Sequence, residues 1–291
     1  MMLFGLLNIN KPSGVTSRDV VNQIQRLVKP AKIGHAGTLD PLARGVLVIG
    51  IGQATRLVEY VQQLPKRYRA SFLLGRSSPT EDVEGPITIW PDAAPPSRDA
   101  LERAAAELTG EIEQRPPEFS ALKVSGRRAY SLARAGQPVE LAARAVQIHR
   151  LEIVRYEYPE LGLDVECGSG TYIRSLGRDL AERAGTAAVM ASLVRTAIGR
   201  FTIENAIEPG LVTRENLAGH LLPAVLAVRG LMSEAVVSEG DVVRLANGLS
   251  ISLSETDAHQ CAALDPSGRL VAILTRRTDD EFVPAKYLPS L

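Results

Sequence analysis

Residues 34–52 read Gly34-His35-Ala36-Gly37-Thr38-Leu39-Asp40-Pro41-Leu42-Ala43-Arg44-Gly45-Val46-Leu47-Val48-Ile49-Gly50-Ile51-Gly52, a polar loop followed by an apolar run between glycines. The run at 45–51 is short and rich in β-branched residues, which predicts a buried strand. In the loop before it, Gly34 and Gly37 permit sharp bends of the backbone. Pro41 keeps Asp40 out of helical geometry. A carboxylate on a tight loop anchored to a rigid strand is well placed to act on a ligand. Asp is also a favoured turn residue, so the same carboxylate reads equally well as a cap of the following turn.

Outward from this stretch, helices and strands alternate. Residues 3–9 predict a first strand. After the Pro12-Ser13-Gly14 turn comes a helix over 17–28, with Val20, Val21, Ile24, Leu27 and Val28 on one face. A helix at 53–63 turns Leu57, Val58 and Val61 inward. Residues 66–75 read as a strand, with Tyr68, Ala70 and Phe72 on one side. Residues 76–100 are loop-rich, with five prolines between Pro79 and Pro96. Further helices are expected at 98–109, 127–135, 187–194 and 214–229, and strands at 145–157, 161–167 and 197–203. Thr171 is placed to cap a helix that runs to Ala184 and ends at Gly185.

From about residue 233 short strand-like pieces (235–237, 242–245, 261–264, 270–274) alternate with turn signals such as Asn247-Gly248. The expected fold class is therefore α+β, with a small β-barrel-like C-terminal domain. The expected boundary divides residues 1–228 from 229–291.

With 45% hydrophobic and 23% charged residues, the chain has the composition of a globular protein with a sizeable core. Its longest clearly apolar run, Gly45 to Gly52, is far too short to span a bilayer. The start lacks the basic segment of a signal peptide, so a cytoplasmic protein is expected. Cys167 and Cys261 are far apart and fit buried, reduced residues better than a disulfide or a metal site. Lys plus Arg and Asp plus Glu both number 33, so net charge gives no sign of a nucleic-acid partner. Local charge says more. Residues 115–155 hold eight basic residues against three acids, whereas 81–113 hold nine acids against two arginines. That contrast fits a protein gripping phosphates on one face, or a solvated charged surface.

A second polar constellation is Cys167-Gly168-Ser169-Gly170-Thr171-Tyr172-Ile173-Arg174. An arginine in the first turn of a helix opposes the helix dipole, which points to a nearby carboxylate. A phosphate-binding glycine loop is the competing reading, but no Walker or dinucleotide spacing is present. His149, His220 and His259 have no spacing to acids or cysteines that would suggest zinc or a nucleophile-base pair.

Five motifs together resemble the bacterial TruB family of tRNA pseudouridine-55 synthases. They are Lys11-Pro12-Ser13-Gly14, Gly34 to Ala43, Lys66-Arg67-Tyr68, Phe119-Ser120-Ala121-Leu122-Lys123 and Gly170-Thr171-Tyr172-Ile173-Arg174. They occur in the family's order across residues 3–201. Departures include Ala36 and Arg44, Gly168-Ser169, and a partial match at 76–85, where Thr80, Asp82 and Gly85 remain.

The resemblance implies a pseudouridine synthase catalytic domain with a mixed, largely antiparallel sheet flanked by helices, and a PUA-like C-terminal domain. Residues 230–291 hold nine acids against five basic residues, an unusual balance for a phosphate binder. The resemblance also implies Asp40 as catalyst, Arg174 as its charge partner and Tyr68 stacked on the target uracil. His35 fills the space vacated by the flipped base, and Tyr172 and Leu193 line its pocket. Lys11, Lys123, Arg127, Arg128 and Arg134 contact RNA. No cofactor and no metal are implied. The partner is the T-loop stem-loop of tRNA, met by a monomer with no obligatory protein partner and no membrane. A glycosidase would need a second acid across the scissile bond, and no such pair is recognisable. A non-catalytic RNA binder or an RNP-bound synthase would use much of the same groove, but the Asp40, Tyr68 and Arg174 set disfavours the first and the 115–135 segment the second.

Overall fold

A computed structural model describes residues 3–91, 94–120, 123–124, 127–128, 141–253 and 258–289. Internal contacts divide the chain into two compact units. The first comprises Met1–Pro41, Gly45–Leu64 and Ala197–Leu291, and the second comprises Leu42–Arg44 and Pro65–Thr196.

In the first unit, β1 (Gly5–Lys11) pairs antiparallel with β3 (Arg44–Ile51), and β2 (Ile33–His35) pairs with the end of β3. Side chains alternate across these strands. Leu7, Ile9, Leu47, Ile49 and Ile51 pack on one face against Val20, Val21, Ile24 and Val28 of α1 (Ser17–Val28). Leu6, Val46 and Val48 face a second cluster with Leu57 and Val61. The apolar run is thus a strand buried on both faces, which is why it lacks polar alternation. Helix α1 begins in a capping box in which Thr16 and Asp19 satisfy each other's backbone N–H groups. The expected helix at 53–63 divides into a 3₁₀ turn (Gly52–Leu57) and α2 (Val58–Gln63).

In the second unit, β4 (Lys66–Leu74), β5 (Gly110–Gln114), β6 (Arg144–Glu157), β7 (Glu160–Cys167) and β8 (Ala188–Ile198) form one sheet. Its order is β8-β4-β7-β6-β5. The ladders β4–β7, β6–β7 and β5–β6 are antiparallel. Among the described residues this unit has two helices, α3 (Arg98–Glu107), capped by Ser97, and α4 (Ile173–Arg183). Helix α4 starts at Ile173 with Tyr172 at its N-cap and no side-chain cap. Thr171 therefore does not cap it, its hydroxyl donating instead to the Gly168 carbonyl at 3.3 Å. Gly185, at φ 77°, closes the helix as expected.

Residues 187–194 are not a helix. They belong to β8, whose stretch from Leu193 alternates buried and half-buried positions; a short apolar run fits both periods until a neighbouring strand pairs with it. Arg127–Arg128 is also extended, paired with Lys123–Val124, and the remainder of the expected 127–135 helix lies outside the described residues.

The C-terminal part of the first unit contains β9 (Ser233–Val236), β10 (Ile251–Ser252), β11 (Gln260–Leu264), β12 (Leu270–Arg276) and β13 (Glu281–Tyr287), ordered β9-β11-β12-β13-β10. Ala262, Leu264, Leu270 and Ile273 join the cluster that holds Leu6 and Val48. Cys261, Ala263, Val271, Leu274 and Phe282 close a separate core with Leu245. Residues 242–245 are helical rather than extended. They lie in α5 (Glu239–Ala246), which starts in a Ser238–Asp241 capping box. The expected helix at 214–229 is instead two short 3₁₀ turns, Leu217–His220 and Ala224–Ala227, separated at Pro223. Both cysteines are free and buried.

Candidate active site

Within the first unit, the Asp40 loop is pinned on both sides. The buried Ser17 hydroxyl, at the start of α1, accepts from the Leu39 N–H at 2.9 Å and lies 3.1 Å from the Leu39 carbonyl, to which it donates. On the other flank the Pro41 carbonyl accepts from the Gly14 N–H at 2.8 Å. It also receives the Lys11 ammonium at 3.4 Å, which is closer to the carbonyls of Val15 (2.6 Å) and Pro12 (2.8 Å). Lys11 is 0% exposed. With its ammonium seated on these carbonyl oxygens, Lys11 braces the loop. Its place is beneath the loop. Asp40 and its neighbour Pro41 are half-buried and exposed, respectively. His35 ends β2 opposite Ile49, five residues before Asp40.

Within the second unit, the alternation of β4 turns Lys66, Tyr68, Ala70 and Phe72 to one face, as read from the sequence. Tyr68 is 8% exposed. On the opposite face the Ser71 and Ser192 hydroxyls meet at 2.6 Å, which fixes the relation of β4 to β8. The alternate residues Leu193 and Arg195 therefore share the Tyr68 face. Helix α4 packs on this face as well. A Cβ at Gly177 would lie 2.0 Å from the Phe72 ring, so glycine is required for the approach. Tyr172 is tied to the buried Gln114 by two hydrogen bonds, its N–H donating at 2.8 Å and its carbonyl accepting at 3.1 Å. Tyr68, Leu193, Tyr172 and Arg174 are thus gathered on one side of one sheet.

Arg174 is 5% exposed. Its guanidinium donates to the carbonyls of Thr80 (2.8 Å) and Phe119 (3.0 Å) and lies 3.8 Å from the Asp82 carboxylate. Asp82 is in turn held by the Thr80 hydroxyl (2.6 Å) and the Glu84 N–H (3.1 Å). The helix-dipole conflict at Arg174 pointed to a carboxylate, and Asp82 is one such group. Two further cations were missed as site features. Lys66 and Arg195 are both buried on the Tyr68 face. Burial, reinforced by Arg195, pushes the Lys66 ammonium down to about 8, whereas burial pushes the neighbouring Cys167 thiol up to about 11. Lys66 stood in a recognised motif, but its burial is visible only once β7 places Cys167 opposite it.

Of the residues expected to contact RNA, Lys123, Arg127 and Arg128 lie on the two-stranded ribbon described above, and Arg134 lies outside the described residues. Among the described residues, no cluster of three or more His, Cys, Asp or Glu side chains could hold a metal ion. No helix among them is long and apolar enough to cross a membrane.

The architecture matches that of solved structures along nearly the whole chain. A Cbf5–Nop10–Gar1 complex matches with a TM-score of 0.74 at 24% identity, over 99% of this chain and 85% of the other. An H/ACA RNP bound to a substrate RNA containing 2′-deoxyuridine matches with a TM-score of 0.73 at 22% identity, over 99% and 85%. These likenesses establish the fold.

Sequence similarity goes further. The family described as TruB family pseudouridylate synthase (N terminal domain) matches residues 25–173. The tRNA pseudouridine synthase B of Arthrobacter sp. (strain FB24) is 44% identical over 94% of this chain and 93% of its own length. That of Dehalococcoides mccartyi (strain ATCC BAA-2100 / JCM 16839 / KCTC 5957 / BAV1) is 39% identical over 97% and 95%. The chain belongs to the TruB family of pseudouridylate synthases.

Proposed function

We propose that this protein isomerises uridine 55 in the T-loop of tRNA to pseudouridine, with Asp40 as its catalytic carboxylate. The observation that carries this reading is similarity to tRNA pseudouridine synthase B along nearly the whole of both chains. The rigidly braced Asp40 loop supports it.

Isomerisation breaks the N1–C1′ bond, turns the uracil and joins C5 to C1′, with loss of the C5 proton and gain of a proton at the freed N1. No electrons are gained or lost overall, so the chemistry requires no redox group. A carboxylate serves it either by covalent attack or by stabilising cationic character at C1′. In this reading Arg174 supports the ionised carboxylate, Tyr68 stacks on the uracil and takes the C5 proton, and Tyr172 and Leu193 line the pocket. The target base is buried in the folded T-loop and must be flipped out, and His35 occupies the space it leaves. Lys123, Arg127, Arg128 and Arg134 supply phosphate contacts. Residues 1–228 form the catalytic domain and 229–291 the PUA-like domain. The protein acts as a cytoplasmic monomer without an obligatory protein partner, and its grip on the T-arm also allows it to assist tRNA folding.

The test is tritium release from tRNA carrying 5-tritiated uridine, with T-loop variants to locate the target. Asp40→Asn is expected to abolish release while leaving tRNA affinity nearly intact. Turnover by this variant would remove Asp40 from the mechanism, and release from a tRNA lacking the T-loop uridine would remove the target.

A further inference from the structure

Glu81 departs from the usual backbone geometry. It is the non-glycine residue at positive φ (61°) among the described residues, a conformation that L side chains rarely adopt. Such outliers persist only where their surroundings enforce them. Here the enforcement is visible. The Glu81 carbonyl accepts from the Met190 N–H at 2.9 Å, and the Glu81 N–H donates to the Ser78 carbonyl at 3.0 Å. The carboxylate accepts from the Ser175 hydroxyl at 3.0 Å and from the Arg178 guanidinium. Arg178 is itself fixed by the Asp179 carboxylate (2.7 Å) and the Arg115 carbonyl (2.9 Å).

The consequence lies on either side of Glu81. The preceding residue gives Arg174 a carbonyl partner, and the following residue places a carboxylate 3.8 Å from it. Ser175 and Arg178 follow Arg174 on the same helix, so one tripeptide, Thr80-Glu81-Asp82, grips the first turns of α4 at three positions. We propose that Glu81 is a positioning residue. Its clamp on Ser175 and Arg178 holds the strained turn that aims the Thr80 carbonyl and the Asp82 carboxylate together at Arg174. The proposal rests on the catalytic reading of Arg174 under Proposed function.

Single-turnover isomerisation at saturating tRNA tests it, with tRNA affinity and thermal unfolding measured alongside. Glu81→Ala and Arg178→Ala are each expected to lower the rate about tenfold, with affinity changed less than about twofold. The double variant should lose no more than the worse single variant, because both remove one interaction. Glu81→Gly removes the backbone strain along with the carboxylate, so it should lose less rate than Glu81→Ala. The charge exchange Glu81→Arg with Arg178→Glu should recover part of the rate. A folded Glu81→Ala protein working at the wild-type rate overturns the proposal, as does a rate loss matched by an equal loss of affinity. Should the alanine variant not fold, Glu81→Gln keeps an acceptor for Ser175 and drops the charge, and a wild-type rate there is equally decisive against the clamp. Arg174→Lys separates the two ideas. A wild-type rate for that variant refutes the catalytic reading of Arg174, whereas loss at Arg174 without loss at Glu81 refutes the clamp alone.

Discussion

The Asp40 loop and the first turn of α4 are both held rigid, but by partners of different kind and reach. The braces described on either side of Asp40 include main-chain groups, one hydroxyl and one buried ammonium, with partners as near as 22 and 30 positions in sequence. Around Arg174 the contacts include a buried carboxylate and carbonyls that lie 55 and 94 positions away. The Ser17 hydroxyl is a neutral brace, which costs little to bury once its hydrogen bonds are made. A charged brace pays desolvation for every ion and holds only while each partner remains in place. The Ser17 brace is therefore neutral and local, whereas the arginine seat is charged and long-range.

Three changes test this contrast. The largest effect is expected at Asp82→Ala, which removes a buried carboxylate from beside the Arg174 guanidinium and an acceptor from the Thr80 hydroxyl. Stability measured by urea unfolding should fall by about 3 kcal/mol or more. Ser17→Ala leaves the Leu39 N–H and carbonyl without their hydroxyl partner and should cost roughly 1–3 kcal/mol in the same assay. If it costs as much as Asp82→Ala, the distinction between the two braces collapses.

The smallest effect concerns Lys66. Its folded-state value near 8 lies below the ordinary lysine value, so the unfolded chain holds more protons between pH 8 and about 10.5. Stability should therefore rise with pH across that window, through the Lys66 contribution, and show no Lys66-dependent slope below it. Unfolding curves collected from pH 7 to 10 would detect the slope, and Lys66→Met should remove it. A slope that survives the substitution belongs to another group.

Much of the first unit was legible in advance because its signals are local. The run at 45–51 and the helix over 17–28 follow from periodicity alone, as does the alternation of Tyr68 with Phe72 in the second unit. The capping box Ser238–Asp241 was equally local, yet the valines that follow it read as a strand. Residues 187–194 failed for another reason, since a short apolar run takes the period of whatever pairs with it, and β4 imposes the extended one. Lys11 illustrates the limit at single residues, as nothing in the motif that carries it shows that it is fully buried.

For the candidate site, the sequence by itself determined which residue types are present and which turns carry them. The glycines and proline around Asp40 constrain backbone torsions directly, and that constraint needs no distant partner. Only the tertiary structure decided that Lys11 lies beneath that loop rather than facing solvent. It also decided that Asp82 and Glu81 serve helix α4, and that Lys66 and Arg195 share the Tyr68 face. Those placements depend on burial and on contacts between remote segments. The energy of a charge is set by its surroundings, which no short stretch of sequence contains.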